Sequence, residues 1–152
     1  MNQEIEEIVQ SLDDSMKIVI FRVNSEEYGV DVSLIKSIER MTEVTRVPNV
    51  SEYIIGVLNL RGSVVPVVDL RKRFGFVSEP YKEDTRIIVI TLEDLEVGII
   101  VDSCSDVTDI QKRDIEPPPT VVGGIESTYI QGVTKLDRRL IILLDLDKTL
   151  KI

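Results

Sequence analysis

Residues 53–70 read YIIGVLNLRGSVVPVVDL, and residues 129–146 read YIQGVTKLDRRLIILLDL. The two stretches align without a gap. Tyr53, Ile54, Gly56, Val57, Leu60, Asp69 and Leu70 recur as Tyr129, Ile130, Gly132, Val133, Leu136, Asp145 and Leu146, seven identities in eighteen positions. Each stretch is two apolar, β-rich runs joined by a short polar turn, a hairpin signature. Upstream, IVIFRVNSEEYGVDV (18–32) matches IIVITLEDLEVGIIV (87–101), which places Gly29 on Gly98 and Val32 on Val101. A repeat of this length marks two copies of one strand-rich unit, each ending in a short helix. A copy of about 60 residues is marginal alone, so the copies are expected to pack on each other.

The expected fold is therefore mainly β: two small five-stranded barrels packed together in one domain spanning 1–152. The first barrel is placed at about 17–84 and the second at about 85–146, with flanking helices at about 3–12 and 146–151. Ile5, Ile8, Val9 and Leu12 form the apolar stripe of the first helix. Asn49 before VSEYI suggests a capped helical turn, and SLIKSIERM reads equally well as helical turn or strand. Pro66 puts its strand at an edge or beside a bulge, because proline cannot donate to a ladder. Asp69 and Asp145 suit helix caps, and Pro117–Pro119 suits a stiff connector.

The chain has 152 residues, a net charge of −9, 43% hydrophobic and 30% charged residues. Phosphate affinity needs a cationic footprint, so this balance opposes a nucleic-acid partner. An RNA-binding barrel is further opposed by only three Phe and four Tyr as stacking platforms. No apolar run approaches the ~20 residues that span a bilayer, so no direct membrane insertion is expected. The N-terminus lacks the basic start and apolar core of a signal peptide, and the single Cys104 suits a reducing cytoplasm. There is no histidine, which removes Ser-His-Asp and Cys-His nucleophiles and HExxH zinc sites. GxGxxG, GxxxxGK[ST], GxSxG and CxxC are also absent. No enzyme, cofactor or metal is expected.

The repeat isolates what differs between the copies. Arg61-Gly62-Ser63 at the first turn becomes Asp137-Arg138-Arg139 at the second. Aspartate is a routine turn residue and arginine is not, which marks Arg61 as a candidate docking residue. Val32, Leu34, Ile35 and Ile38 crowd one short segment, either as core or as an exposed apolar patch that takes a partner.

In order, EEYGVDV (26–32), VTRVPNVSEYIIGVLNLRG (44–62), VVPVVDLRKRF (64–74), VGIIVDSCSDV (97–107) and YIQG (129–132) resemble the CheW-like chemotaxis coupling proteins. The likeness runs from about residue 17 to residue 150. It implies two intertwined SH3-like β-barrels and a non-enzymatic adaptor. Such an adaptor joins the cytoplasmic tips of methyl-accepting chemoreceptors to the regulatory domain of the histidine kinase CheA. Carried over position by position, the resemblance puts the kinase contact on Val19, Val32 and Ile35. It puts the receptor contact near Gly56, Arg61, Gly98 and Cys104. Ser37 stands where relatives often carry a larger or acidic residue, and Cys104 where an aliphatic is common. The same fold serves as a regulatory module in CheA and CheV, which are longer chains. With no second domain, this chain is expected to be the stand-alone adaptor, cytoplasmic and recruited to membrane-associated receptor arrays.

Overall fold

The computed structural model describes residues 3–5 and 14–150. Most of the helix expected at 3–12 lies outside these residues. Strands β1 (Ser15–Val23), β2 (Glu26–Asp31), β3 (Ile35–Arg40), β4 (Ile54–Leu60) and β5 (Ser63–Asp69) lead to helix α1 (Leu70–Arg73). Strands β6 (Arg86–Leu92), β7 (Leu95–Val101) and β8 (Ser103–Gln111) follow, then a two-stranded ribbon, β9 (Val121–Val122) and β10 (Ile125–Glu126). Strands β11 (Ile130–Leu136) and β12 (Arg139–Leu144) and helix α2 (Leu146–Thr149) complete the described chain. SLIKSIERM resolves as a 3-10 turn, Val32–Leu34, running into β3.

Two five-stranded sheets result, and the repeat relates them strand for strand. One has the order β11-β12-β2-β1-β8, and the other, read from its matching edge, β4-β5-β7-β6-β3. Neither sheet is drawn from one sequence copy. The opening hairpin of the first copy, β1–β2, sits in the sheet completed by β8, β11 and β12. The opening hairpin of the second copy, β6–β7, sits with β3, β4 and β5. The copies have exchanged hairpins, and each hairpin is joined to the other copy by one parallel pairing, β12 with β2 and β5 with β7, and one antiparallel pairing, β8 with β1 and β3 with β6.

The exchange explains why these strands are almost continuously apolar. Centrally placed strands that are covered on both faces lose the polar alternation of a half-exposed strand. On β6, Ile88 and Ile90 enter the cluster shared by the two sheets, while Ile87 and Val89 enter a separate cluster with Val65 and Val67. On β12, Ile142 and Leu144 face the shared cluster, and Ile141 and Leu143 join Ile18 and Ile20 in a third.

Pro66 does not mark an edge, since β5 lies between β4 and β7. It sits beside a bulge in the β4 pairing, and the ladder to β7 begins only at Val67, so its missing N–H interrupts nothing there. The helical turn expected after Asn49 does not form. Asn49 has φ of 61°, left-handed rather than the extended geometry of an N-cap, and it makes a turn instead. Asp69 does cap α1, accepting from the N–H groups of Arg71 and Lys72, and Asp145 caps α2 by accepting from Lys148.

Gly56 and Gly132 have a steric explanation. Beside each, the incoming connection lies antiparallel against the strand: Thr45 exchanges backbone hydrogen bonds with Val57, and Glu116 with Val133. A Cβ on Gly56 would lie 2.1 Å from the Thr45 carbonyl oxygen, and one on Gly132 would lie 2.5 Å from Ile115 Cγ2.

The two units meet at Arg73. Its guanidinium carbon lies 4.6 Å from the Tyr53 ring centre and 5.0 Å from that of Tyr129. Its Nε donates to the Thr149 carbonyl at the end of α2, at 2.6 Å. Tyr53 and Tyr129 are repeat equivalents, as are Arg73 and Thr149. The side chain therefore lies between matching residues of the two copies. A second arginine at 149 would carry its charge toward the same space, and threonine stands there instead.

Two stability predictions follow from this packing. Gly56→Ala lowers the unfolding free energy by about 3 kcal/mol, from strain and overpacking against backbone. Gly132→Ala costs less, because Gly132 has no positive φ and its nearest backbone atom, the Glu116 carbonyl oxygen, lies at 3.0 Å rather than 2.1 Å. Arg73→Leu costs about 2–3 kcal/mol through two cation–π contacts and a charged hydrogen bond. Urea unfolding of the three variants checks both the order and the size.

Candidate interaction surfaces

Leu60 pairs with Ser63, so Arg61 and Gly62 are the whole of a two-residue hairpin loop. Their φ angles are 50° and 87°, both positive, as a type I′ turn requires. Asparagine, aspartate and glycine fill the first position cheaply, and the second copy has Asp137 there with φ of 55°. Arginine in this conformation costs on the order of 1–2 kcal/mol. It is exposed and joins none of the ion pairs found among the described residues. Glu93, at the β6–β7 turn, shares this left-handed conformation with φ of 54°.

The other residues associated with a receptor contact sit elsewhere. Gly56 and Gly98 are buried. A Cβ on Gly98 would lie 2.9 Å from Ile87 Cγ2, so packing accounts for that glycine too. Cys104 is half-buried on β8, opposite Phe21 on the neighbouring strand β1 of the same sheet. Because β5 runs parallel to β7, Arg61 lies at the Leu95 end of β7, whereas Cys104 follows Val101 at the opposite end. The length of β7 separates them, roughly 20 Å by strand rise. Burial pushes the Cys104 thiol up from its ordinary value, so it stays protonated near neutrality and is a poor nucleophile.

Val32 and Ile35 lie close together where the chain crosses from one sheet to the other. Both are half-buried, and Ile38 on the same strand is 42% exposed. Val19 is 1% exposed, held between Val30 and Val107 on the neighbouring strands. It is almost fully enclosed within the sheet. Ser37 has its hydroxyl buried without a hydrogen-bond partner among the described residues. Its repeat equivalent, Asp106, pairs instead with Arg139. The exposed apolar residues that the sequence reading did not mark include Val64 and Leu95, each at 68%. Both sit beside hairpin turns within runs whose other members are core, so their exposure has no signature in the pattern.

Charge pairs between distant segments brace these surfaces. Arg71 makes a two-pronged contact with Asp102, Nε to Oδ1 at 2.9 Å and NH2 to Oδ2 at 2.6 Å, and also reaches the Val77 carbonyl and Glu79. Asp102 accepts in addition from the Asn24 backbone N–H. Burial alone would raise the Asp102 carboxyl, but Arg71 and that N–H outweigh it and hold the group below its usual range. Glu27 is likewise lowered, chiefly by its hydrogen bonds to Arg139 and with help from Arg22. Among the described residues no cluster of His, Cys, Asp and Glu could hold a metal ion. No described helix is long and apolar enough to cross a membrane.

Residues 17–152 match the family model of the CheW-like domain. Chemotaxis protein CheW of Bacillus subtilis (strain 168) is 42% identical over 134 residues, covering 88% of this chain and 86% of that protein. The same-named protein of Klebsiella aerogenes is 37% identical over 134 residues, covering 88% and 81%. The solved structure of scaffolding protein TtCheW from Thermoanaerobacter tengcongensis superposes with a TM-score of 0.83 at 35% identity, covering 90% of this chain and 88% of that one.

The lowered carboxylates predict the acid limb of stability. Their folded values lie below the unfolded ones, so their contribution is present above ordinary values of 4.5 for Glu27 and 3.8 for Asp102. It is lost as pH falls through the lower folded values. Glu27→Gln therefore lowers the urea midpoint at pH 7 and flattens its decline on acidification. A decline as steep as wild type would show that other groups carry it.

Proposed function

This chain belongs to the CheW-like domain family, and on that premise we propose that it is a non-enzymatic scaffold coupling methyl-accepting chemoreceptors to the histidine kinase CheA in chemotaxis. The likeness across residues 17–152 carries the reading. The absence of histidine supports it, since the commonest acid–base and metal-ligand chemistry is missing from the chain.

The receptor's cytoplasmic tip engages the surface around Arg61. Gly56 and Gly98 shape the strands behind it, and Cys104 marks the far limit of the contact. The kinase's regulatory domain engages Val32 and Ile35, with Val19 as their support. Arg61 suits recognition because its guanidinium stands exposed with its hydrogen-bond donors available to a carboxylate or backbone carbonyl. Val32 and Ile35 suit a contact whose affinity comes from burying aliphatic surface. Location on different parts of one body lets the adaptor hold both partners at once, in the cytoplasm, beneath membrane-associated receptor arrays.

Receptor-containing membranes and purified kinase test this. The protein sediments with the membranes and raises kinase activity there. Arg61→Glu weakens sedimentation about tenfold or more while its unfolding curve stays near wild type, and Ile35→Glu weakens kinase binding instead. Failure of the wild-type protein to bind either partner at micromolar concentration overturns the reading. Unfolding of Arg61→Glu would assign the arginine to structure.

A further inference from the structure

Strand β3, which carries Ile35, does not keep the alternation of a regular strand. Ile35 pairs with Ile90 of β6 and Ser37 with the adjacent Val89, so Lys36 is an extra residue with no partner in the register. Such a bulge resets the face that each later side chain takes. Residues three apart on a regular strand point to opposite faces. Here Ile35 and Ile38 lie across from Ile90 and Ile88, which share one face and enter the core cluster between the sheets. Ser37 and Glu39 lie across from Val89 and Ile87, which enter the other cluster. The bulge therefore brings Ile38, 42% exposed, to the side of β3 that Ile35 occupies.

The second copy has the same bulge, held in a different way. On β8, Cys104 pairs with Phe21 and Asp106 with Ile20, which leaves Ser105, the repeat equivalent of Lys36, as the extra residue. The Ser105 hydroxyl is held locally, 2.8 Å from Asp106 Oδ1 and 3.3 Å from the Ile20 carbonyl oxygen. Lys36 instead reaches across β6 and pairs with Glu96 on β7. Glu96 is the repeat equivalent of Glu27, whose partner is Arg139 of β12. Ser63 stands where Arg139 does. The first copy thus keeps the carboxylate, lacks the arginine that would engage it, and couples it to the bulged lysine. As a partly exposed pair it contributes little to stability. Its geometric effect is larger, because it ties the extra residue of β3 to a strand two places away.

We propose that Lys36 and Glu96 are positioning residues for the kinase contact, and that Ile38 is a further residue of that contact. Their ion pair holds the bulge, and the bulge sets Ile38 beside Ile35 on one face of β3. Neither charged residue needs to touch the kinase. The inference rests on the reading that Val32 and Ile35 receive the kinase, and it assigns to that surface one more aliphatic side chain and the lock that orients it.

Purified kinase is titrated onto the full chain, and sedimentation with receptor-containing membranes is measured beside it. Ile38→Ser is expected to weaken kinase binding about tenfold and to leave sedimentation unchanged. Lys36→Ala and Glu96→Ala are each expected to weaken kinase binding about fourfold, with the double variant no weaker than either, because both break one pair. Lys36→Glu combined with Glu96→Lys is expected to restore binding to within about twofold of wild type. The urea midpoints of these charge variants stay near wild type. Wild-type affinity of Ile38→Ser removes it from the contact. Losses that multiply in the double variant, or a charge swap no better than the single variants, overturn the positioning role. If Ile35→Glu loses the kinase while the Ile38, Lys36 and Glu96 variants all bind as wild type, the kinase reading stands and this inference alone fails. If the wild-type chain binds no kinase at roughly micromolar concentration, both fail.

Discussion

One arginine between two tyrosines holds the molecule's halves in register. Arg73 departs from α1, which follows β5 of one sheet, and ends between Tyr53 and Tyr129, the residues that precede β4 and β11. Its bond to the Thr149 carbonyl ties the end of α1 to the end of α2. The Tyr53 carbonyl accepts from the Asp69 N–H, and the Tyr129 carbonyl from the Asp145 N–H. Each tyrosine is thus also bonded to the residue that caps the helix of its own unit. Cap, tyrosine and cation form a single assembly at the meeting of the two copies. Such an assembly must be asymmetric, because the space that takes one guanidinium cannot take two. The repeat has arginine at 73 and threonine at 149.

That constraint gives physical content to coupling. The hairpin exchange means that neither sheet exists without strands from both sequence copies, so the halves cannot separate without breaking a parallel ladder on each side. The segment Val32–Leu34 is itself the crossing from one sheet to the other. A kinase seated on Val32 and Ile35 and a receptor seated at Arg61 would therefore touch one interlocked body. Adaptor function asks for this arrangement: two partners held at a fixed separation, with chemistry left to them.

Sequence reasoning reached far into this fold because the signals were repeated. The match of 53–70 with 129–146 carried the strand pairs, the turns and both helix caps, and the structure has two five-stranded sheets as expected. What stayed hidden was of a different kind. The hairpin exchange leaves no mark on a sequence, since β1–β2 would read identically in either sheet. The Arg71–Asp102 and Arg139–Glu27 pairs link residues 31 and 112 positions apart, beyond any periodicity. Val19, Gly56 and Gly98 came from resemblance alone, and all three are buried. Arg61 is the opposite case. The comparison of the two turns isolated it, and it stands exposed at the tip with a positive φ of 50°.

The claim at the centre of this account is that one small rigid body holds receptor and kinase together. Titration of kinase onto receptor-containing membranes, with and without this protein, tests it most directly. The account predicts that kinase sediments in proportion to the adaptor already bound, and that saturating the adaptor with kinase leaves its affinity for receptor undiminished. Displacement of one partner by the other would mean a shared surface, and would contradict the arrangement proposed for Arg61 and Ile35.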